Sequence, residues 1–139
     1  MGVKILLLAA VLALLTGHFS NSSYRCPTQP ESVEPALKGS AAVFLGEVVS
    51  VRITEGLREA RLRVSRAWKG VEAEEVTVFE PANSAESPQY QVGVSYLVFA
   101  GVRDGRLFTG MCSRTRQEAS AQRDLRQLGE GQKPKGGRG

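Results

Sequence analysis

Alternation of apolar and polar side chains predicts that most of this chain is β-structure. Residues 60–68 alternate for most of their length, so that Ala60, Leu62 and Val64 are expected to face a core while the arginines between them face solvent. Similar patterns predict five strands in all, over residues 40–54, 60–68, 75–79, 94–101 and 106–112. The fourth of these segments is apolar on both faces, which favours burial on both sides.

Glycine-containing pairs mark the predicted turns between these strands. Glu55-Gly56 follows the first strand, and Asp104-Gly105 is a strong signal for a two-residue hairpin between the last two. Gly46 interrupts the first strand and is expected to mark a bend or bulge.

A change of period to helical spacing predicts a helix near the C-terminus. Ala121, Leu125 and Leu128 lie at i, i+4 and i+7, and Gly129 follows at the position that favours a helix C-cap. A helix is therefore expected over residues 117–128. Five short strands followed by one helix favour a small closed or nearly closed barrel, because closure removes exposed strand edges.

Three weaker patterns complete this prediction. Thr115 and Glu118 have the spacing of a capping box for the C-terminal helix. One short helix is expected over residues 31–38. Residues 130–139 contain no apolar side chain to bury, so a disordered basic tail is expected there.

The N-terminus has the pattern of a secretory signal peptide. Lys4 precedes eleven apolar residues, 5–15, which are followed by a small and polar stretch. We therefore predict a signal peptide over residues 1–23, with cleavage after Gly17, Ser20 or Ser22. The alternative is an uncleaved anchor, but a transmembrane helix needs about 20 apolar residues. Secretion to an extracellular or periplasmic location is thus expected, with no membrane span after cleavage.

Composition limits the chemistry available to the remaining domain, residues 24–129. The chain has 139 residues and a net charge of +4, which is mildly basic, and it contains two Cys and one His. This set is too small for a four-ligand Cys/His zinc site, and we expect no metal and no cofactor. The single His, His18, lies in the predicted signal peptide, so we expect no enzymatic activity and no catalytic residue.

The alternative to a protein without enzymatic activity is an enzyme whose catalytic groups are carboxylates. The candidate carboxylates are Glu47, Glu74, Glu75 and Glu86. Glu47 lies within an apolar run, but we expect it to face solvent because strands alternate their faces.

The two cysteines are Cys26 and Cys112. Because an oxidising compartment favours disulfides over thiols or metal sites, an intrachain Cys26–Cys112 bridge is predicted. Intermolecular pairing is the alternative. An intrachain bridge would close most of the mature chain into one loop.

Several segments together resemble bacterial secreted proteins similar to tissue inhibitors of metalloproteinases. Besides Cys26, the resemblance rests on AAVFLGEVVSV at 41–51, RVSRAWKG at 63–70, VGVSYLVFA at 92–100, CSRT at 112–115 and DLRQLG at 124–129. It implies a netrin-like module, a five-stranded OB-type barrel with a C-terminal helix. It also implies inhibition of a secreted zinc metalloproteinase, whose catalytic zinc is chelated by the free amine and carbonyl of an N-terminal Cys.

In this chain a different residue occupies the position of that N-terminal Cys. Cys26 matches the second Cys of the Cys-x-Cys pair in animal inhibitors, and Tyr24 occupies the first position. The usual partner of the first Cys is also missing, because residues 83–90 contain no Cys. The resemblance therefore implies an inhibitory ridge held by one disulfide, at Tyr24, Arg25, Cys26 and Pro27.

The alternative function is a non-inhibitory extracellular module, expected to be a monomer, that binds a protein or the cell envelope. Arg61, Arg63 and Arg66 are candidates for a basic surface on the second strand, although surface charge is the default for solvent-facing positions. An anionic partner would suit such a surface. Nucleic acid is not expected, because most aromatic residues occupy strand positions that predict a core.

Overall fold

The computed structural model describes residues 25–136. The predicted signal peptide, Tyr24 and residues 137–139 lie outside this range. Within it, no helix has the length and apolar character needed to cross a membrane.

The described chain is mainly β-structure with two short helices. Its elements are α1 (Glu34–Gly39), β1 (Ala42–Thr54), β2 (Leu57–Lys69), β3 (Glu75–Pro81), β4 (Ser95–Arg103), β5 (Arg106–Phe108), β6 (Arg116–Gln117), one 3-10 turn (Glu118–Ser120) and α2 (Gln122–Leu128). The prediction of a mainly β domain with a C-terminal helix is confirmed.

All six strands belong to one sheet, in the order β1-β2-β3-β5-β4-β6. β1 also pairs with β4, from Ala42 opposite Ala100 to Glu47 opposite Ser95. The pair β3–β5 is parallel and the other pairs are antiparallel. β1 is therefore hydrogen-bonded on both of its edges.

The predicted turns are confirmed by their backbone angles. Glu55 and Gly56 have φ values of 52° and 77°, and Asp104 and Gly105 have values of 51° and 73°. Positive φ at both central residues is typical of the type I′ turn, which matches the twist of antiparallel strands. The register of β1 against β2 shifts beside Gly46, as the predicted bulge requires.

The C-terminal prediction is wrong at its start. α2 begins only at Gln122. No side chain caps its N-terminus, so the predicted capping box does not form. Thr115 instead accepts a hydrogen bond from the backbone N–H of Phe99, at 2.8 Å, which fixes the segment beside β4. β5 also ends earlier than predicted, at Phe108, and the chain then leaves the sheet.

β1 and β4 separate two apolar clusters. The inner cluster contains Phe44, Leu62 and Tyr96, while the outer cluster lies between the sheet and the two helices. Successive residues of β1 alternate between them, so Phe44 packs inward and Val43 packs toward the helices. The prediction that the fourth strand is buried on both faces is confirmed, since residues 96–100 are all buried.

The prediction of a disordered tail beyond residue 129 is wrong for residues 130–136. Gln132 exchanges two backbone hydrogen bonds with Ala67, of 2.8 and 2.7 Å, and the Lys135 N–H donates to the carbonyl of Glu72 at 3.0 Å. β3 pairs with β2 only as far as Arg63. The tail occupies part of the strand edge that β3 leaves open, so its stabilisation comes from backbone hydrogen bonds rather than apolar burial.

A buried ion pair connects the C-terminal helix to the N-terminal segment. Arg114 donates to both carboxylate oxygens of Asp124, at 2.7 and 2.8 Å, and to the carbonyl of Pro30 at 2.8 Å. Both side chains are less than 10% exposed. The hydrogen bonds to Asp124 raise the pKa of Arg114.

We predict that Asp124→Ala strongly destabilises the fold, because it leaves the Arg114 guanidinium buried without its carboxylate. Loss of one partner of a buried pair costs about 3–5 kcal/mol. Urea denaturation measures this loss. Arg123→Ala is the matched control, since its pair with Glu31 is exposed and should contribute less than about 1 kcal/mol. Equal effects of the two substitutions would contradict the prediction.

Candidate functional site

The structure joins the two cysteines as predicted. Cys26 and Cys112 form a disulfide with a Cα–Cα distance of 5.2 Å and a sequence separation of 86 residues. In the chain-entropy model a loop of this length stabilises the folded state by about 4–5 kcal/mol. The bridge ties the exposed Arg25 and Pro27 to the segment that follows β5.

A third segment, the loop between β3 and β4, meets the other two at the disulfide. The backbone N–H of Cys112 donates to the carbonyl of Glu86 at 3.3 Å. One carboxylate oxygen of Glu86 also lies 3.3 Å from the sulfur of Cys26. The Gln29 side chain donates to the Cys112 carbonyl at 3.0 Å. We call the surface formed by Arg25, Cys26, Pro27, Glu86, Met111 and Cys112 the disulfide end.

The disulfide end presents both charged and apolar groups to solvent. Arg25, Pro27 and Glu86 are exposed, and Met111, beside Cys112, is 50% exposed. Cys112 itself has a φ of 63°, a left-handed conformation that is uncommon for a residue other than glycine. The predicted ridge residues Arg25, Cys26 and Pro27 therefore lie together on an accessible surface, and Tyr24 lies outside the described residues.

The loop that supplies Glu86 is held in place by a buried carboxylate. Glu80, at the end of β3, is fully buried and accepts a hydrogen bond from Arg58 Nη1 at 2.8 Å. It also accepts from the backbone N–H groups of Gln89 and Tyr90, at 3.0 and 2.9 Å. One side chain thus fixes the position at which the loop returns to the sheet.

Two tyrosines extend this network into the inner cluster. The Tyr90 hydroxyl is 3.0 Å from the hydroxyl of Thr109, and the Tyr96 hydroxyl accepts from the N–H of Gln91 at 3.0 Å. Their rings meet edge to face, with centroids 5.0 Å apart. Burial raises the pKa of both tyrosines above the ordinary value, so both stay neutral in the folded protein.

The sequence contained a signal for Glu80 that the strand prediction did not use. Glu80 continues the inward-facing alternation of Val76 and Val78 on β3, and a charge at such a position needs buried partners. No local pattern indicates Glu86, because its role depends on Cys112, which lies far along the chain.

The arginines predicted as a basic surface lie on the outer face of β2, but they differ in their partners. Arg61 forms a 2.8 Å salt bridge with Glu75. Arg63 stands opposite Glu75 and Glu47 in the strand register. Arg66 stacks on the ring of Trp68, 5.3 Å from its centroid. Acidic neighbours thus offset much of this charge.

The candidate carboxylates are spread over the molecule. Glu47 is exposed on β1, as predicted, Glu75 pairs with Arg61, and Glu86 belongs to the disulfide end. Among residues 25–136, no group of three or more His, Cys, Asp or Glu side chains is arranged to hold a metal ion.

No known family matches the chain, and no curated protein matches it at a significant level.

We predict that Glu80→Ala loosens the loop between β3 and β4 as well as destabilising the fold. It leaves Arg58 and two backbone N–H groups without their acceptor, which costs about 3–5 kcal/mol. Chemical denaturation measures the loss, and hydrogen exchange of the Gln89 and Tyr90 amides reports the loop. Glu59→Ala, which removes the partner of the exposed Arg52, should cost less than about 1 kcal/mol. Unchanged amide exchange in Glu80→Ala would contradict the proposed role.

We also predict a loss of stability at alkaline pH that depends on Tyr90. Because the folded-state pKa of Tyr90 is raised, its contribution is complete below the unfolded pKa of about 10 and declines as pH rises above it. The free energy of unfolding should therefore fall by up to about 1.4 kcal/mol per pH unit from this group. Denaturation between pH 8 and 11 measures the slope, which should be shallower in Tyr90→Phe. An identical slope in that variant would contradict the prediction.

Proposed function

We propose that this chain is a secreted domain of the netrin-like type, similar to tissue inhibitors of metalloproteinases, which binds an extracellular protein through its disulfide end. The partner class is a secreted zinc metalloproteinase, and the mode of action is inhibition. The alternative is a non-inhibitory module that binds another extracellular protein through the same surface.

The strand pairings support an OB-type barrel for this domain. The succession β1-β2-β3-β5-β4, together with the additional β1–β4 pairing, returns to the strand at which it began. β3 and β5 form the parallel pair in this succession. A five-strand arrangement of this kind with a helix after the last strands is the architecture that the resemblance implies.

The observation that carries the functional proposal is the meeting of the N-terminal segment with the β3–β4 loop. In the inhibitors that the chain resembles, a disulfide would join these two segments. In this chain the two segments meet without a second covalent bond. The Cys112 N–H donates to the Glu86 carbonyl, and the Glu86 carboxylate lies against the sulfur of Cys26. The same two segments thus form one surface, with Arg25 and Pro27 exposed upon it.

The location of the protein is part of the proposal. A Cys26–Cys112 disulfide persists in oxidising compartments, which agrees with the predicted signal peptide and with an extracellular or periplasmic location. Cleavage directly before Tyr24 would present a free amine two residues before Cys26. Such an amine and its neighbouring carbonyl are the groups that the resemblance assigns to the partner's zinc.

We predict that the secreted mature protein inhibits at least one member of a panel of secreted zinc metalloproteinases. The assay uses purified protein whose N-terminus has been sequenced, with hydrolysis of a fluorogenic peptide as the measurement. Acetylation of the N-terminus removes the chelating amine and should abolish inhibition. Full protease activity throughout the panel would contradict the inhibitory function.

Matched substitutions test whether the disulfide end is the surface involved. Arg25→Ala should weaken inhibition about tenfold or more if this side chain contacts the protease. Arg63→Ala removes the same charge from β2, opposite Glu75 at the start of β3, whereas the loop of the disulfide end follows the last residue of β3. This control should leave inhibition unchanged. Binding of a protease without inhibition, lost in Arg25→Ala alone, would favour the non-inhibitory alternative.

A further inference from the structure

The hairpin between β4 and β5 carries two arginines next to its turn. Arg103 and Arg106 are paired directly across the strands, on either side of the Asp104-Gly105 turn. Both are exposed. Neither forms a salt bridge within the part of the chain that the structure describes. Like charges directly opposite each other on a sheet are unfavourable, and an anion between them would relieve this repulsion.

Each arginine lies over a phenylalanine ring. The guanidinium carbon of Arg103 lies 4.5 Å from the ring centroid of Phe108, and that of Arg106 lies 4.9 Å from that of Phe79. The two rings are themselves neighbours, because Phe79 pairs with Phe108 in the sheet. Stacking covers one face of a guanidinium but leaves its N–H groups at the edge free to bind a carboxylate in bidentate geometry. Stacking of this kind reduces the side-chain freedom that each arginine would lose on binding a ligand.

A groove of about 470 Å³ connects Arg103 with the disulfide end. Arg106 lines a neighbouring cavity, which Glu55 and Glu59 also line. It passes Gly101 and Gly110, which have no side chains to fill it. The groove is lined at one end by Arg103 and Phe108 and at the other by Gln29 and Cys112. Residues 106–112 span at most about 20 Å in extended form, which corresponds to about six residues of an extended ligand.

We propose that this groove binds an extended acidic segment of a partner protein, whose carboxylates are held by Arg103 in the groove and by Arg106 opposite it on β5. The charge of the site selects an anionic ligand. Gly101 and Gly110 leave room for an extended chain, and the half-buried Phe108 offers it an apolar contact. Arg114, which also lines the groove, is already neutralised by Asp124 and does not add to this charge. The proposal is independent of protease inhibition, since it requires only a protein ligand with acidic residues.

The test uses the full secreted chain, labelled with ¹⁵N, and a peptide of six glutamates, blocked at both ends, as a probe. Binding should shift the Nε–H signals of Arg103 and Arg106 and the amide signals of Gly101 and Gly110. Raising the salt concentration from 50 to 300 mM should weaken binding several-fold, because exposed charges are screened. Absence of binding, or shifts confined to other residues, would overturn the proposal.

Three variants and a second probe make the test specific. R103Q/R106Q should weaken peptide binding at least tenfold, and R103K/R106K should do so to an intermediate extent because lysine keeps the charge without the bidentate fork. R123Q/R126Q removes the same charge from α2 and should bind as the unaltered chain does. Equal losses in R103Q/R106Q and R123Q/R126Q would reduce the effect to overall charge and overturn the proposal. Tighter binding of dextran sulfate than of the peptide at these arginines would overturn the assignment to a protein partner. Thermal denaturation verifies that each variant is folded.

Discussion

Hydrogen bonding along both edges of β1 holds together the sheet and the two apolar clusters that pack on it. This strand is hydrogen-bonded to β2 along one edge and to β4 along the other, and it is buried on both faces over residues 42–46. Alternate residues therefore serve two clusters, the inner one between the strands and the outer one beneath the helices. Burial of each large apolar side chain in these clusters contributes about 1.5–3 kcal/mol. Helix packing and strand pairing are thus coupled through one strand.

Buried charged side chains hold in place the segments that lie outside the strands. Glu80 positions the return of the β3–β4 loop, and Arg114 joins α2 to the N-terminal segment through Asp124 and the carbonyl of Pro30. Among the described residues, every buried side-chain nitrogen and oxygen has a hydrogen-bond partner. Replacing a whole buried ion pair by apolar side chains changes the free energy of unfolding little, whereas removing one partner lowers it strongly. Such a pair therefore favours the one chain conformation in which both partners meet. Both networks lie next to the disulfide end and give it a defined shape.

The elements predicted from the sequence are those whose cause is local. Alternation in β2 and the glycine of each type I′ turn act over a few residues, so the strands and hairpins followed from the pattern. Long-range contacts explain the failures. Thr115 has the spacing of a helix cap, but its hydroxyl accepts a hydrogen bond from Phe99 on β4 instead. The tail, through Gln132, forms backbone hydrogen bonds with Ala67 on β2. The disulfide was predictable because the chain offers only two cysteines, whereas the contact of Glu86 with both of them was not.

One disulfide rather than two changes how the proposed partner would bind at the disulfide end. Residues 24 and 25 precede Cys26, and the sequence has no further Cys that could tether them through a second disulfide. Ordering a residue's backbone costs about 1–2 kcal/mol, so fixing two of them weakens binding by about 2–4 kcal/mol relative to a tethered end. A second contact on the same rigid domain offsets such a loss, because the two contacts bind with a high effective concentration. The groove from Cys112 to Arg103 provides a surface of this kind, continuous with the disulfide end. An acidic segment of the partner, held there, would supply the affinity that the missing tether does not.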